Sequence, residues 1–600
     1  MYKKILEYAG EYRKLTYVSI LVMLIAVLVS VIPYFFIYQL ITPLLGYGTM
    51  DAAGIVWRVA AIALCGILYA VLYVKGLSLS HSSAYHTLQN IRISLQRKME
   101  KQPLGTIQEK GVGIIKKMFI DDIESIELLL AHALPEGISN VAVPVFVFIA
   151  MFFADWKLAL LSLLSLPLGF VAMGAMYQQG MGKMGAYYAA AQRMNNTIVE
   201  YINGMEVVKV FNRDGDSYRR FETDVKNYRD FTLDWYRACW PWMALYNSLI
   251  PCIALFTLPV GAWFVLRGWS TLPDLVLVLC MSFGVGAPLL RSLSFMSTLP
   301  QVNYKIESLE KLMSAPPLEQ TEKPFMGKDH SVSFEQVRFD YVKNSGAEQK
   351  QEQPEEGQER DTEVLHGISL YAKEGSLTAL VGESGSGKST LAKLLVHFYD
   401  VTGGAVKIGG QDVRDMSVEA LNREISYVSQ EQFLFNTSLL ENIRLGKLDA
   451  TDDEVMAAAE KAQCGEFLKR LENGIHTMAG DGGKQLSGGE RQRISLARAI
   501  LKNAPIVVLD EATAFMDPEN EEKMNEAIAE VIRGKTVLVI AHRLHSVVDA
   551  DQICVLHEGA LAATGTHGEL LRDCPEYQKL WAAAEGSARW KVSAQKEVLS

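Results

Sequence analysis

Cysteine is scarce in this sequence, with seven among 600 residues, and no two cysteines stand in a CxxC spacing. Pairs of histidines near them are also absent, so we expect neither a zinc site nor a framework of disulfides. We interpret the cysteines as free thiols in apolar or reducing surroundings.

An excess of basic charge is missing as well, since 58 lysine and arginine residues face 68 aspartate and glutamate residues, for a net charge of −10. A chain this acidic has no general attraction to nucleic acid, and we expect no nucleic-acid partner. Apolar residues make up 49% of the chain, and seven of the nine tryptophans precede residue 310. We therefore predict a membrane half followed by a soluble half.

Six runs in the first half contain almost no charge: 15–45, 59–77, 137–154, 158–177, 238–266 and 275–298. A helix over the first run would be about 46 Å long, more than the roughly 30 Å hydrocarbon core, so it should tilt or protrude. It is too long for the core of a signal peptide, and we expect it to be retained. One such run could be a buried soluble core, but six predict a transmembrane domain over residues 1–313.

Lysine and arginine are distributed unevenly around these spans. Four precede the first span, eight lie from Lys75 at the end of the second span to Lys117, nine lie between the fourth and fifth spans, and the other three connections hold one each. Because basic segments stay on the cytoplasmic side, we predict that the N-terminus and everything after the sixth span are cytoplasmic. The expected location is a bacterial inner or plasma membrane, with the lipid bilayer as a partner. Segments 111–119 and 200–211 mix apolar and polar residues as short docking helices would, or as ordinary amphipathic loops do.

The second half alternates strand-like and helix-like segments, which is typical of an α/β domain. We predict a linker over 314–330, the α/β domain over 331–583 and a C-terminal tail over 584–600. Residues 343–363 contain no aromatic or β-branched apolar residue and carry seven acids against three bases. Such a segment buries too little apolar surface to order itself, so we predict a disordered insertion over 342–363.

A glycine-rich phosphate-binding motif, GxxxxGK[ST], stands between a strand-like and a helix-like run. Its glycines would let backbone N–H groups wrap phosphates, its lysine would reach the β and γ oxygens, and its hydroxyl would bind Mg²⁺. The residues are Gly382, Glu383, Ser384, Gly385, Ser386, Gly387, Lys388 and Ser389, followed by Thr390 at the start of the helix.

Two carboxylates follow the apolar run 506–509. Asp510 ends that predicted strand and is placed to hold Mg²⁺ through water, while Glu511 can polarise an attacking water. An acidic pair that merely opens a helix is the alternative, which the nearby phosphate motif disfavours.

A second glycine-rich turn opens a later helix and is a natural anion site. It comprises Leu486, Ser487, Gly488, Gly489 and Glu490. This pentapeptide matches the signature motif of the ATP-binding cassette ATPases, and the second half of the chain resembles that family. The resemblance implies an adenine-stacking role for Tyr341, a Q-loop role for Gln430, a switch role for His542 and a D-loop role for Asp517. Taken alone, Tyr341 would more often be a core residue and His542 a satisfied histidine at a strand end.

The resemblance also implies cofactors, fold and assembly. ATP would bind with Mg²⁺ held by Ser389, Gln430 and Asp510, and Glu511 and His542 would be catalytic. In this family the phosphate loop of one subunit faces the signature motif of the other, so two cassettes enclose two ATP. Six spans and one cassette therefore look like an exporter-fold half-transporter, an obligate dimer with an identical or paralogous partner, in which 111–119 and 200–211 match the coupling helices.

ATP-driven transport of a small molecule is the function these features predict. An ATP-dependent regulator of a partner channel is the alternative from another class, and a cassette ATPase acting on DNA is disfavoured by the six spans. The run from Ala514 to Asp517 departs from the usual D-loop. The longer run 514–521, together with the segment 131–136, resembles the branch that imports metal–siderophore complexes. Export of lipids, drugs or peptides stays open. Arg291 and Lys75 are the candidate residues of the substrate pathway, unless both snorkel to the inner interface.

Overall fold

The structure of the protein, a computed structural model, describes residues 2–210, 214–341, 363–430, 432–510, 518–541 and 543–588. The chain forms two compact units, one of residues 1–96 and 116–312 and the other of residues 97–115 and 313–600. The helices up to residue 313 are α1 Tyr2–Ala9, α2 Arg13–Leu44, α3 Ala52–Met99, α4 Leu104–Lys110, α5 Val112–Lys117, α6 Ile123–Glu127, α7 Pro135–Ala154, α8 Trp156–Ser162, α9 Ser165–Asn203, α10 Met205–Val210, α11 Asp214–Leu249, α12 Ala254–Leu266, α13 Leu272–Phe283 and α14 Gly286–Met313.

The first unit is helical because an α-helix satisfies the backbone groups of an apolar run within one segment, as a lipid environment requires. Among the residues that the structure describes, six helical stretches of this unit are long and apolar enough to cross a membrane, which confirms the predicted six spans. They are Ile5–Leu44, Ala52–Met99, Val112–Ala154, Trp156–Gly180, Arg219–Leu266 and Leu272–Phe295.

The helices α9 and α11 form the longest paired element of this unit. The hydroxyls of Tyr187 and Tyr228 are hydrogen-bonded to each other. Farther along α9, the hydroxyl of Thr197 donates to Asp224 at 2.6 Å. Because the residue number falls on α11 as it rises on α9, the two helices run antiparallel. They are joined by α10 and by residues 211–213, which lie outside the described part of the chain.

Two π-helical turns, Met118–Asp122 and Leu128–Ala133, interrupt the helical stretch that leads from α5 to α7. A π turn takes more residues per turn than an α-helix, and such turns often occur at functional sites. The second turn brings side chains five positions apart toward the same face.

The second unit contains two sheets and nine further helices in the part that the structure describes. The strands are β1 Val332–Asp340, β2 Glu363–Ala372, β3 Leu377–Gly382, β4 Gly403–Ile408, β5 Gln411–Asp412, β6 Ile425–Val428, β7 Ile506–Asp510, β8 Thr536–Ile540, β9 Gln552–His557 and β10 Ala560–Gly565. The helices are α15 Lys388–Leu395, α16 Val418–Glu424, α17 Leu439–Arg444, α18 Asp452–Lys461, α19 Gly465–Arg470, α20 Gly488–Lys502, α21 Pro518–Ile532, α22 His567–Asp573 and α23 Pro575–Ala588.

The larger sheet has the order β10-β9-β3-β8-β7-β6, and the smaller one β2-β1-β4-β5. In the larger sheet β6, β7, β8, β3 and β9 are parallel, and β7 is buried at all five positions. Parallel strands that are covered on both faces are apolar throughout, which explains the sequence of β7. Their carboxyl ends lie along one edge of the sheet, so the residues that follow β3, β6 and β7 are brought together.

Residues 97–115 belong to the second unit, although they continue directly from α3. In that segment the backbone N–H of Leu104 donates to the carbonyl of Phe398 at 3.0 Å, and Tyr399 donates to Gln108 at 3.2 Å. The helix that makes these contacts is α4, so docking begins N-terminal to the predicted segment 111–119. The predicted segment therefore starts too late. It begins at Gly111, whose φ of +77° ends α4 and separates it from α5. The predicted segment 200–211 includes the end of α9 and all of α10, and Phe211 lies outside the described residues.

The predicted domain limits differ from the elements at two places. Glu363 is the first residue of β2, so the predicted insertion ends one residue earlier, and residues 342–362 lie outside the described part. The helix α23 continues to Ala588, so the predicted tail begins inside a helix, and residues 589–600 are not described.

Candidate functional site

The phosphate motif forms a loop between the end of β3 and the start of α15. Gly387 has a φ of +96°, and a Cβ atom on it would lie 2.4 Å from the side chain of Leu365. A Cβ atom on Gly382 would lie 2.2 Å from the carbonyl oxygen of Leu556. Glycine is therefore required at both ends of the loop by close packing, and Glu383, Ser384 and Gly385 between them are exposed.

Lys388 lies beneath this loop with 4% of its surface exposed. Its ammonium group donates to the carbonyl oxygens of Gly382 at 2.9 Å and Glu383 at 2.7 Å, and to the hydroxyl of Ser386 at 3.3 Å. The loop thus curls around a positive charge at the N-terminus of α15, an arrangement that fits an anionic phosphate chain.

Asp510 is the buried end of β7, with 3% of its surface exposed. Its Oδ1 accepts a hydrogen bond from the Ser389 hydroxyl at 3.1 Å, and its Oδ2 accepts one from the Tyr427 hydroxyl at 3.1 Å. A hydroxyl beside a carboxylate is a donor set that suits Mg²⁺, which prefers oxygen ligands. Burial and the adjacent Asp510 carboxylate raise the pKa of Tyr427, which keeps its hydroxyl a donor.

Tyr341 lies beside the same loop. Its hydroxyl is 2.9 Å from that of Thr390, and its ring packs edge-on against Phe339 and Tyr399 with centroids 4.7 and 5.2 Å away. Burial raises the pKa of Tyr341. The structure therefore places this tyrosine next to the phosphate loop, and its stacking on adenine stays a prediction.

Of the remaining predicted nucleotide-binding residues outside the signature motif, only one lies in the described part of the chain. Gln430 is exposed, two residues after β6 and at the same sheet edge as Asp510. Glu511, Asp517 and His542 lie outside the described residues, so their roles stay predictions.

The signature motif begins α20 through a reciprocal cap. Ser487 accepts a hydrogen bond from the Glu490 backbone at 3.3 Å, and Glu490 accepts one from the Ser487 backbone at 2.8 Å. Leu486 is buried and anchors the turn, whereas Ser487 and Gly488 are exposed and Gly489 is partly exposed. This helix start therefore presents polar groups to the outside of the unit.

Arg498 connects α20 to the segment that follows Gln430, a link that the sequence did not reveal. Its guanidinium donates to the carbonyl oxygens of Asn442 at 2.7 Å and Phe433 at 2.9 Å. Burial lowers the pKa of Arg498 to about 10. These bonds hold the segment around Phe433 against the helix that carries the signature motif.

The two candidate pathway residues in the membrane unit have different surroundings. Lys75 and Arg291 are both exposed, and Arg291 is the one that lies near Tyr73. Tyr73 donates to Glu136 at 3.1 Å, and Glu136 is 3.3 Å from the ring of His132. Arg291 thus lies near a polar cluster.

That cluster also contains His81 and Glu127. The ring of His81 is 3.1 Å from Glu127, and His132 is 3.8 Å from the same oxygen of Glu127. The second π turn brings Glu127 and His132 to one face, and ligand atoms of His81, Glu127 and His132 all lie within 4.8 Å of one another. Two imidazoles and a carboxylate of this kind could hold a divalent cation. The His132–Glu136 spacing of four residues was the only local sign of this cluster in the sequence.

An apolar cavity of about 620 Å³ opens between α2, α7 and α13. Its lining is aromatic and aliphatic except for Asp274, which accepts a hydrogen bond from Tyr38 at 2.9 Å. The arrangement suits the apolar portion of an amphipathic molecule.

Comparison with known proteins shows which family each of the two units matches. The family description "ABC transporter transmembrane region" matches residues 15–289, and the description "ABC transporter" matches residues 365–514. The chain belongs to the ABC transporters. This ABC transporter chain is a membrane protein with an ATP-binding cassette, and its fold is of the exporter type.

The solved structure of a bacterial Atm1-family ABC exporter with ATP bound is similar to this ABC transporter chain. It superposes with a TM-score of 0.75 at 25% identity, covering 97% of this chain and 100% of the other. The mycobactin import ATP-binding/permease protein IrtA of Mycolicibacterium smegmatis is 33% identical over 94% of this chain. The chain spans 63% of the length of that relative. An ATP-dependent lipid A-core flippase of Syntrophus aciditrophicus is 29% identical over 82% of this chain and 79% of its own length.

Proposed function

We propose that this chain couples ATP hydrolysis to the movement of a small molecule across a membrane. The contact of Ser389 with Asp510, 3.1 Å between hydroxyl and carboxylate, carries the proposal because it joins the phosphate loop to the end of β7. Lys388 and the loop backbone would bind the phosphates. Ser389, Asp510 and Gln430 would hold Mg²⁺, which neutralises phosphate charge when bound.

The catalytic and dimer roles follow from the resemblance stated above. Glu511 would polarise the attacking water, and His542 would contact the γ-phosphate. The exposed start of α20 supports a second cassette as partner, since Ser487 and Gly489 would complete the site of another subunit. The partner is a second half-transporter, either identical or paralogous, which mass spectrometry of the copurified complex would identify.

Transport-coupled turnover separates this proposal from a regulator of a partner channel. In proteoliposomes, ATP but not a non-hydrolysable analogue should drive accumulation of substrate, and that substrate should stimulate ATPase activity. Stimulated hydrolysis without substrate movement, together with an ATP-dependent current through a partner, would support the regulator instead.

For the substrate we propose a ferric siderophore that is moved inward. The IrtA relative is named for mycobactin import, and the runs 514–521 and 131–136 resemble the siderophore-importing branch. An anionic chelate also suits the positive charge of Arg291 near the polar cluster. The excess of basic residues on the N-terminal tail and on two of the connections supports a cytoplasmic N-terminus and cassette in a bacterial plasma membrane.

Loss of this chain is therefore expected to reduce uptake of ⁵⁵Fe-labelled siderophore during iron limitation, because ATP hydrolysis by this chain would energise that import. Uptake should be measured in a deletion strain, with the intact gene and a Lys388→Ala gene reintroduced as matched controls. Unchanged iron uptake together with lost lipid or drug efflux would contradict the import proposal.

Replacing residues 342–362 with a short Gly/Ser linker should leave basal ATPase activity within about twofold, since loop entropy varies only logarithmically with length. The ends of the segment are already close, because Asp340 pairs with Glu363 across β1 and β2. ATPase assays and thermal unfolding of both forms would test this. A tenfold loss of activity with unchanged unfolding would show that the insertion contributes to the nucleotide site next to Tyr341.

A further inference from the structure

Tyr427 lies on β6, the strand adjacent to β7 in the larger sheet. Tyr427 pairs with Val508, two positions before Asp510, so the tyrosine and the carboxylate share a face of the sheet. The Tyr427 hydroxyl reaches Oδ2 of Asp510 at 3.1 Å. The strand register therefore directs the phenol toward Asp510.

The hydrogen bonds divide the Asp510 carboxylate between two hydroxyls. Ser389 donates to Oδ1 and Tyr427 donates to Oδ2, each at 3.1 Å. Ser389 is a residue that would turn to Mg²⁺ when the nucleotide is bound, which leaves Tyr427 to hold the carboxylate. The Tyr427 ring is itself fixed by edge contact with Phe398, at 5.8 Å between centroids.

We infer that Tyr427 is a positioning residue that aims Asp510 at the metal by retaining Oδ2 and leaving Oδ1 for the coordination shell. Partners of this kind orient the ligands of a metal site and raise its affinity. The inference rests on the proposed ATPase function of the site, but it concerns metal binding rather than turnover.

Tyr427→Phe keeps the ring and removes only the hydroxyl. With Mn²⁺ as the probe and a non-hydrolysable ATP analogue bound to the full chain in nanodiscs, electron paramagnetic resonance should show about tenfold weaker Mn²⁺ binding. Binding of the analogue in EDTA should be unchanged. Tyr399→Phe is the matched control, because that phenol is also buried but donates to Gln108.

Asp510→Asn supplies the second variant. If Tyr427 acts through Asp510, adding Tyr427→Phe to Asp510→Asn should weaken Mn²⁺ binding no further, whereas independent effects would add. Unchanged Mn²⁺ affinity in Tyr427→Phe, additive losses in the double variant, or an equal loss of nucleotide binding in EDTA would each overturn the inference. Wild-type protein that binds Mn²⁺ normally but does not turn over ATP would overturn the proposed function and leave this inference standing.

Discussion

Replacing Glu511 with glutamine is expected to slow ATP hydrolysis by about 10²–10⁴-fold while ATP continues to bind, because the amide is a far poorer proton acceptor of the same shape. Lys388, Ser389 and Asp510 keep their contacts with each other and with the loop. Binding without hydrolysis should trap two ATP between closed cassettes. Turnover and nucleotide occupancy measured on the same preparation would check this.

Glu530→Gln is a suitable control for Glu511→Gln, since Glu530 lies on α21 of the same unit and pairs with Arg533 rather than with the phosphate loop. It should leave hydrolysis unchanged. Near wild-type turnover in Glu511→Gln would show that Glu511 is not the base, and the catalytic assignment would be wrong.

Lys388→Ala should act at the earlier step and weaken ATP binding by about 10- to 100-fold, the range expected for loss of a charge-assisted bond to phosphate. The variant lacks the ammonium group that the phosphate loop encloses. The rate of hydrolysis should therefore fall in proportion to the fraction of sites that hold ATP. Titration with a fluorescent ATP analogue would measure the affinity directly.

Lys393→Ala offers the matched control, because Lys393 stands five residues later on α15 and is partly exposed. Its effect on ATP affinity should be small. If Lys388→Ala binds ATP as tightly as the wild type, the lysine does not contact phosphate and the loop has another ligand.

The sequence predicted those parts of the fold that depend on local pattern. Six apolar runs gave six spans because a membrane helix must be apolar along its whole length. The phosphate loop and Asp510 were predictable because each directly follows a buried strand, and the parallel sheet brings the strand ends together.

Contacts between distant segments were not predictable from the same patterns. Tyr427 reads in the sequence as one more aromatic in a strand, and only the register with β7 shows that its hydroxyl meets Asp510. His81 and His132 stand on separate helices, and their proximity depends on a π turn that has no clear sequence signal. The segment 111–119 was predicted as a docking helix, whereas α4, which precedes it, makes the contacts with Phe398 and Tyr399. Periodicity does not show which helical turn contacts another segment.

The antiparallel pair of α9 and α11 amplifies motion. The helix α9 has 39 residues, and the membrane-spanning stretch Trp156–Gly180, which begins in α8, includes only its first 16. The other 23 residues of α9 form about 34 Å of paired helix that extends beyond this stretch toward α10. Rotating this arm by about 10° around its membrane end would move its tip by about 6 Å, close to the rise of one helical turn. A small tilt inside the bilayer would therefore become a step at the tip that is large enough to shift one row of side chains past the next.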